Sequence, residues 1–455
     1  SIMGDTEIKL PEDFFNRMNT VLGSSFPDFI DSLKSESPTS IRLNPHKKNK
    51  LSGKPVPWCS TGLYLDTRPV FTLDPSFHGG AYYVQEASSM FLEQVFIQLG
   101  LGSQPLRILD LSAAPGGKST HIASLMHKDS LLVANEVIRS RASILAENIA
   151  KWGVGNVVVT NNDPEDFNRL PGFFDVLVVD APCSGEGLFR KDPDAITEWS
   201  VHNVQLCAKR QRRILNDSWS CLKTNGLLVY CTCTYNSLEN EENIQWLSEQ
   251  HEAESIPLHI DSDWGIEKVI FKNITGYRFF PHKLPGEGFF ISVIRKTENQ
   301  EEIRIKSKRK LVQPHQRISE ELNQWIRHPE NFVLTTHHEV ISIINKNILE
   351  EHSLLLDTLH VVSIGTKLAS VKGQKLIPEH ELALSVELNS QHFLAQELSF
   401  EQAIHYLRKE TVVLPEYKKG YTLATYQSIP LGWMHVLDNR VNNLYPKALR
   451  IRMKA

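Results

Sequence analysis

Ile108-Leu109-Asp110-Leu111-Ser112-Ala113-Ala114-Pro115-Gly116-Gly117-Lys118 reads as an apolar strand that runs into a loop of small residues and on into a helix. Small side chains let a backbone approach a ligand closely, and the first turn of the helix leaves N–H donors free to meet it. Gly117-Lys118-Ser119 raises the possibility of a phosphate-cradling P-loop. That motif needs a glycine where Ser112 stands, and Pro115 removes one N–H from the cradle. A plain structural turn is the other reading, and it leaves Lys118 without a purpose.

Outward from this stretch, strand and helix signals alternate from Leu106 to about Lys296. Strands are expected at Arg107 to Leu111, Leu131 to Ala134, Val157 to Thr160, Val176 to Val179, Leu227 to Cys231 and Phe289 to Ile294. Helices fall between most of them, for example at Arg139 to Trp152 and Asn203 to Leu222. The fold class is therefore α/β, a doubly wound, mainly parallel, Rossmann-like sheet, and such sheets bind ligands at the carboxyl ends of their strands. Glu136 stands at one of those ends, about twenty residues beyond the glycine loop, where a carboxylate suits ribose hydroxyls; a surface glutamate is the plain alternative. Asp163, past the next strand, suits an adenine amino group, or it is the cap of a turn in Asn162-Asp163-Pro164.

Two thiols occupy the same rim. Asp180-Ala181-Pro182-Cys183-Ser184-Gly185 follows the run Val176 to Val179, and Thr232-Cys233-Thr234 follows Leu227-Leu228-Val229. One thiol of such a pair could attack a ring carbon while the other handles a proton. Cys231 and Cys233, two apart, are expected to share a face, but no CxxC and no neighbouring histidine supports a zinc site, and no metal is expected. Cys59, Cys207 and Cys221 read as ordinary packed residues.

The 455 residues exceed one ordinary core and suggest two to three domains. An α+β unit is expected over 1–100, with helical periodicity from Phe14 to Ile30, strands at Ser40 to Asn44 and Gly62 to Leu65, and a helix from Gln85 to Leu99. The catalytic domain covers 101–296, a charged linker 297–314, and a second α+β or barrel-like region 315–455. Strands in that last region are expected at Val333-Leu334, Glu339 to Ile344, Leu359 to Ile364 and Thr422 to Tyr426. Hydrophobic content of 41% and charged content of 22% are those of a soluble globular protein. No apolar run reaches the roughly 20 residues of a membrane helix, and no signal-peptide pattern opens the chain. Six scattered cysteines form no disulfide framework, which fits a reducing compartment. Net charge is −4, yet basic residues cluster at His46 to Lys50, Arg304 to Lys310 and Lys447 to Lys454. Each reads alone as a solvated stretch; three around one catalytic domain favour a phosphate-rich partner.

In order and spacing, Asp110 to Lys118, Glu136, Asp163, Asp180 to Gly185 and Thr232-Cys233-Thr234 resemble the NOL1/NOP2/Sun family of RNA cytosine-5 methyltransferases, in particular its bacterial 16S ribosomal RNA members. The resemblance extends through Glu186 to Ala195, Gln85 to Met90 and Ser40 to Asn44, and more faintly to Pro430-Leu431-Gly432 and Asn443 to Pro446. It implies a class I methyltransferase sheet using S-adenosyl-L-methionine, held by Ser112, Ala113, Ala114, Pro115, Gly116, Gly117, Lys118, Glu136, Arg141, Asp163 and Asp180. It assigns attack on cytosine C6 to Cys233 and help with C5 proton removal and product release to Cys183, with Asp180 and Lys118 beside the ring. It further implies an N-terminal RNA-binding region, a PUA-like RNA-binding region toward the C-terminus, and a cytoplasmic enzyme acting on 16S rRNA or the small ribosomal subunit. Nothing in the chain asks for an obligate assembly, so a monomer is expected.

The chemistry is consistent with those roles: C5 of cytosine is a poor nucleophile until a thiolate adds at C6, and the target base must leave its stack. Three other functions compete: methylation of tRNA or another RNA, methylation of DNA cytosine, and a catalytically degenerate RNA-binding scaffold. DNA enzymes use the cysteine of Pro-Cys as nucleophile and have no counterpart of Thr-Cys-Thr, whereas a scaffold needs neither thiol.

Overall fold

The structure is a computed structural model that describes residues 8–306 and 311–453. Of the basic stretches, the part of Arg304 to Lys310 beyond Lys306, and Lys454, lie outside the described residues.

Two short helices, Glu12–Leu22 and Phe26–Lys34, precede the first sheet and bury Phe14, Met18, Phe29 and Leu33 against Phe189, Trp199 and Tyr235. A four-stranded antiparallel sheet follows, with β1 (Thr39–Leu43), β2 (Lys54–Pro55), β3 (Gly62–Leu65) and β4 (Tyr82–Val84) in the order β2-β3-β1-β4. The helix expected from Gln85 is shorter: a 3-10 turn spans Ser88–Phe91 and the α-helix Leu92–Gln98. The carboxylate of Glu86 accepts from the N–H groups of Ser88 and Ser89, so it stands before the turn rather than within it.

The large sheet is built on β5 (Arg107–Asp110), β6 (Leu131–Asn135), β7 (Val157–Thr160), β8 (Phe174–Asp180) and β9 (Leu222–Thr232), all parallel, in the order β9-β8-β5-β6-β7. Beyond β9 lie β13 (Phe289–Lys296), β12 (Ile274–Phe279) and β11 (Glu267–Phe271), all antiparallel, with β10 (Ala253–Ser255) on the far end of β13. The sheet is thus parallel at its centre and antiparallel at its flank. Its parallel strands are unbroken apolar runs because both faces are covered. Ile108, Leu132, Val178 and Val229 feed one layer, and Leu109, Val133, Leu177, Val179 and Leu228 feed the other. Each such side chain contributes about 1.5–3 kcal/mol when fully buried. The helix expected to run to Leu222 ends earlier, at Ser218; a 3-10 turn follows and Leu222 already belongs to β9.

Strand order reverses at β5, whose neighbours are β6 and β8, and the crevice beyond the strand ends at that point is where such sheets hold ligands. The register pairs Asp180 with Cys231, so the chain leaving β8 runs alongside the chain leaving β9.

C-terminal to the sheet, β14 (Phe332–His337), β15 (Val340–Asn345), β17 (Thr366–Lys372) and β18 (Lys375–Pro378) form one antiparallel sheet. A second contains β19 (Leu394–Glu397), β20 (Gly420–Tyr426), β21 (Ile429–Val436) and β22 (Val441–Asn443). The strand expected around Leu359 to Ile364 joins neither. As β16 (Val361–Ser363) it pairs antiparallel with β7 and closes the edge of the large sheet, covering what would be an open row of backbone groups.

Candidate active site

The loop after β5 is fixed from beneath by one asparagine. Asn135 Nδ2 donates to the carbonyls of Leu111 (3.1 Å) and Asn162 (2.9 Å), and its Oδ1 accepts from Thr160 Oγ1 (2.8 Å) and Asn162 N–H (3.0 Å). With Ala113 N–H donating to the Asn135 carbonyl at 2.8 Å, the ends of β5, β6 and β7 are held as one unit. Sequence reading gave Asn135 no role; a polar residue ending a buried strand, next to a candidate acid, was the signal. Gly116 takes φ +124°, a region that side chains avoid, and hands the chain to the helix Gly117–Leu125, whose first turn has no side-chain cap. Asn148 Nδ2 holds the Pro115 carbonyl (2.8 Å) and Arg141 Nη2 the Ala114 carbonyl (3.1 Å), while Arg141 Nη1 lies 3.8 Å from Glu136 Oε1.

Asp110 is fully buried at the foot of this loop. Its Oδ2 accepts from Ser119 Oγ at 2.7 Å and its Oδ1 has no partner. Burial raises its carboxyl to about 7, an effect the Ser119 hydrogen bond and the Lys118 charge only partly offset. Glu136 is also buried and accepts from Ile138 N–H at 3.0 Å, while the apolar side chains of Val137 and Ile138 beside it stand about half exposed, at 55% and 49%. Asp163 accepts from Glu165 N–H (3.0 Å) and caps the turn Pro164–Arg169, the capping alternative its sequence context raised. These groups fit an adenosine-bearing donor: uncapped helix N–H groups, a carboxylate for hydroxyls and apolar side chains for a purine face.

On the other side of β5, Lys118 Nζ donates to Asp180 Oδ2 at 2.8 Å and lies 5.5 Å from the centre of the Phe289 ring. Burial alone would lower the Lys118 ammonium, but Asp180 and its acidic neighbours outweigh it, and the group is held above the ordinary lysine range. Cys183 Sγ and Cys233 Sγ approach to 3.0 Å, both thiols free and partly exposed. The Cys183 thiol is raised well above its ordinary value, first by its hydrogen bond to Cys233, then by burial and by the charges of Cys233 and Glu239. Cys231 does not share this environment: it lies on β9, fully buried with Leu227, Val229 and Phe289, whereas Cys233 lies past the strand end.

Buried carboxylates pin the two thiol loops together. Glu186 Oε1 accepts from Thr234 Oγ1 (2.7 Å) and the N–H groups of Tyr235 (3.0 Å) and Asn236 (3.1 Å), and its Oε2 from Trp199 Nε1 (2.9 Å). Glu239 accepts from Ser184 N–H (2.8 Å), Ser184 Oγ (2.5 Å), Gln211 Nε2 (3.0 Å) and Asn236 Nδ2. Both lie within the motif stretches or a few residues beyond them, but only the fold shows which loop each one grips.

Arg42, from the N-terminal sheet, is fully buried; its Nε donates to Gln85 Oε1 (2.8 Å) and its Nη2 to the Gly117 carbonyl (2.8 Å) and Thr120 Oγ1 (2.6 Å). Its guanidinium lies 4.8 Å from the Trp152 ring centre. The Ser40 to Asn44 and Gln85 to Met90 stretches thus brace the donor loop. Lys47, within the basic stretch His46 to Lys50, donates to the carbonyls of Gly79 and Lys151, both at 2.8 Å, and is bound internally.

Among the described residues one cluster has metal-ligand composition: Cys59, Glu93 and His121, all buried, with donor atoms within 4.8 Å of one another. His121 Nε2 meets Glu93 Oε1 at 3.0 Å, Cys59 Sγ meets it at 3.6 Å, and Ser60 N–H donates to Glu93 Oε2 at 2.6 Å. Burial lowers the imidazole to about 4 and raises the thiol to about 11, which leaves Glu93 as the single charge in the field of Arg42. The three side chains form a hydrogen-bonded joint between the N-terminal region and the helix Gly117–Leu125.

Residues 101–295 match the RsmB/F family of 16S rRNA methyltransferases, residues 10–87 the N-terminal domain of 16S rRNA methyltransferase RsmF, and residues 393–451 the RsmF PUA domain. The ribosomal RNA small subunit methyltransferase F of Citrobacter koseri is 31% identical over 98% of this chain and 98% of its own, and that of Enterobacter sp. is 30% identical over 98% and 97%. Among solved structures, a methyltransferase homolog protein from Pyrococcus horikoshii covers 64% of this chain and 96% of its own at 28% identity and a TM-score of 0.54. NSun6 from Pyrococcus horikoshii, solved with SFG, covers 64% and 99% at 21% identity and a TM-score of 0.54, a likeness of fold.

Proposed function

This chain belongs to the RsmF family of 16S rRNA methyltransferases, and we propose that it methylates C5 of a cytosine in 16S rRNA through a covalent bond between Cys233 and C6. The observation that carries the reading is the 3.0 Å approach of Cys183 Sγ to Cys233 Sγ at the rim beside the donor loop. Glycine-loop N–H groups, Glu136 and the apolar edge at Val137-Ile138 would hold S-adenosyl-L-methionine, which supplies an electrophilic methyl group when bound.

Cys233 carries the nucleophile. In this reading the Cys183 thiol, raised by its contact with Cys233 and by burial, holds its proton and would donate to the Cys233 sulfur as that sulfur attacks. Addition of that thiolate at C6 forms the S–C6 bond and pushes the ring electrons toward C5 and the N3 edge. Asp180, held by Lys118 at 2.8 Å, would accept from the N4 amino group at that edge, with the Lys118 ammonium beside it offsetting the developing charge. After methylation, the C5–H bond breaks with its proton passing to the Cys183 sulfur, whose own proton goes to Cys233; the C5–H electrons restore the C5–C6 double bond and the S–C6 pair returns to Cys233. The Cys183 thiol, 3.0 Å away, again donates to the departing sulfur. One proton is released per methyl transferred. The RNA order of events is preferred to the DNA order, in which the Pro182-Cys183 thiol would attack, because the chain belongs to a family of rRNA methyltransferases.

The test is incubation with small-subunit RNA and methyl-labelled S-adenosylmethionine, followed by nucleoside analysis. Label in 5-methylcytidine is expected; label in another nucleoside, or none on any RNA, overturns the reading.

A further inference from the structure

Four of the six cysteines, Cys59, Cys207, Cys221 and Cys231, are buried. Only Cys183 and Cys233 reach solvent, and those two sulfurs face each other at 3.0 Å. Two non-bonded sulfurs at that distance are already closer than ordinary contact, and about 1 Å of movement separates them from the 2.03–2.05 Å of a covalent bond. Their loops are fastened to each other as well as to the sheet: Gly187 N–H donates to the Cys233 carbonyl at 2.8 Å, Ser184 Oγ and Thr234 Oγ1 lie 2.9 Å apart, and Glu186 joins the two loops from below. Each thiol therefore meets the other before it meets any thiol of the core.

We propose that the Cys183–Cys233 pair is a site of reversible oxidative modification, closed by hydroperoxides into an intramolecular disulfide that switches the protein off. The Cys233 sulfur attacks a peroxide oxygen; an S–O bond forms, the O–O bond breaks, and hydroxide leaves to be protonated as water. The Cys233 sulfur is oxidised by two electrons and the peroxide is reduced. The Cys183 sulfur then attacks the sulfenic sulfur; the S–S bond forms, the S–O bond breaks, and the Cys183 proton leaves with hydroxide as a second water. Two thiols and one peroxide give one disulfide and two waters. A dithiol reductant reverses the change by exchange. Capture by Cys183 also spares Cys233 from further oxidation to sulfinate, which dithiols do not reverse. The loss of activity rests on the proposed role of Cys233; formation of the disulfide does not.

The experiment treats the full chain with hydrogen peroxide, alkylates free thiols under denaturing conditions and maps the peptides by mass spectrometry. Free thiols are expected to fall from six to four, with a single Cys183–Cys233 linked peptide and full return of both thiols after dithiothreitol. In Cys183→Ser no linked peptide forms, and Cys233 accumulates sulfinate that dithiothreitol leaves in place. A wild-type protein that keeps six thiols, links other cysteines, or carries Cys233 to sulfinate with Cys183 present overturns the proposal. A protein that closes the disulfide on oxidation but, with all six thiols reduced, methylates no RNA overturns the proposed function and leaves this inference standing.

Discussion

The backbone N–H of Gly187 donates to the carbonyl of Cys233 at 2.8 Å, and there is no room between them for a side chain. A Cβ on Gly187 would stand 2.7 Å from that oxygen and 2.5 Å from the carbonyl of Gly288. Glycine at this position is what allows the loop after β8 to lie flat against the loop after β9, and so what brings the two sulfurs together.

Gly187→Ala is therefore expected to push the loops apart by a few tenths of an ångström or more, at a cost of about 1–3 kcal/mol in stability. Methyl transfer should fall by at least about tenfold while the protein stays folded, since small displacements of a nucleophile carry large rate penalties. Transfer rates beside urea unfolding curves check this; a wild-type rate would show that the close approach is dispensable.

Glu186→Gln removes the charge of a carboxylate that accepts four hydrogen bonds and turns one acceptor into a donor facing N–H groups. Leaving those buried donors badly met should cost about 1–3 kcal/mol. Reactivity of Cys233 toward an alkylating reagent should change with it, because Tyr235 and Asn236 N–H fix the loop that carries this thiol. Unaltered unfolding midpoints and alkylation rates would contradict the role assigned to Glu186.

Arg42→Lys keeps a charge but loses the planar fork that reaches Gln85, the Gly117 carbonyl and Thr120. The donor loop should loosen, and affinity for S-adenosylmethionine should drop by about tenfold, or roughly 1.4 kcal/mol. Calorimetric titration of the cofactor is the readout. Unchanged affinity would mean that Arg42 braces the interface without bearing on the loop.

Asp110 supplies a pH dependence of known sign. Its folded carboxyl is raised by burial to about 7, above its unfolded value, so its contribution to stability is complete below the unfolded value near 4 and is lost as pH rises through about 7. Asp110→Asn cannot ionise. Relative to wild type, the variant should gain about 1 kcal/mol or more of stability between pH 5 and pH 8. Parallel unfolding midpoints across that range would show that Asp110 does not titrate there.

Much of the sheet was legible because its parallel strands are buried on both faces and so appear as unbroken apolar runs, as in Val176 to Val179 and Leu227 to Val229. The strand at Leu359 to Ile364 was legible too, but its partner was not: only the fold decides that Val361–Ser363 closes the edge beside β7. Cys231 shows the limit of counting along a strand. Period-two alternation assigned it a face with Cys233, but β9 ends at Thr232 and the chain bends at Cys233. Residues that act over distance were silent for the same reason. Arg42 lies 75 positions from the glycine whose carbonyl it holds, and Asn135 looks like any polar residue ending a strand until its four hydrogen bonds are seen together.

The division of labour between the two sulfurs is tested most directly by trapping. Cys183→Ala, incubated with small-subunit RNA and S-adenosylmethionine, should accumulate a denaturant-stable protein–RNA adduct linked through Cys233, because attack proceeds and release is impaired. Cys233→Ala should form none. An adduct in the Cys233 variant, or its absence in the Cys183 variant under conditions where the wild type methylates RNA, would contradict the account.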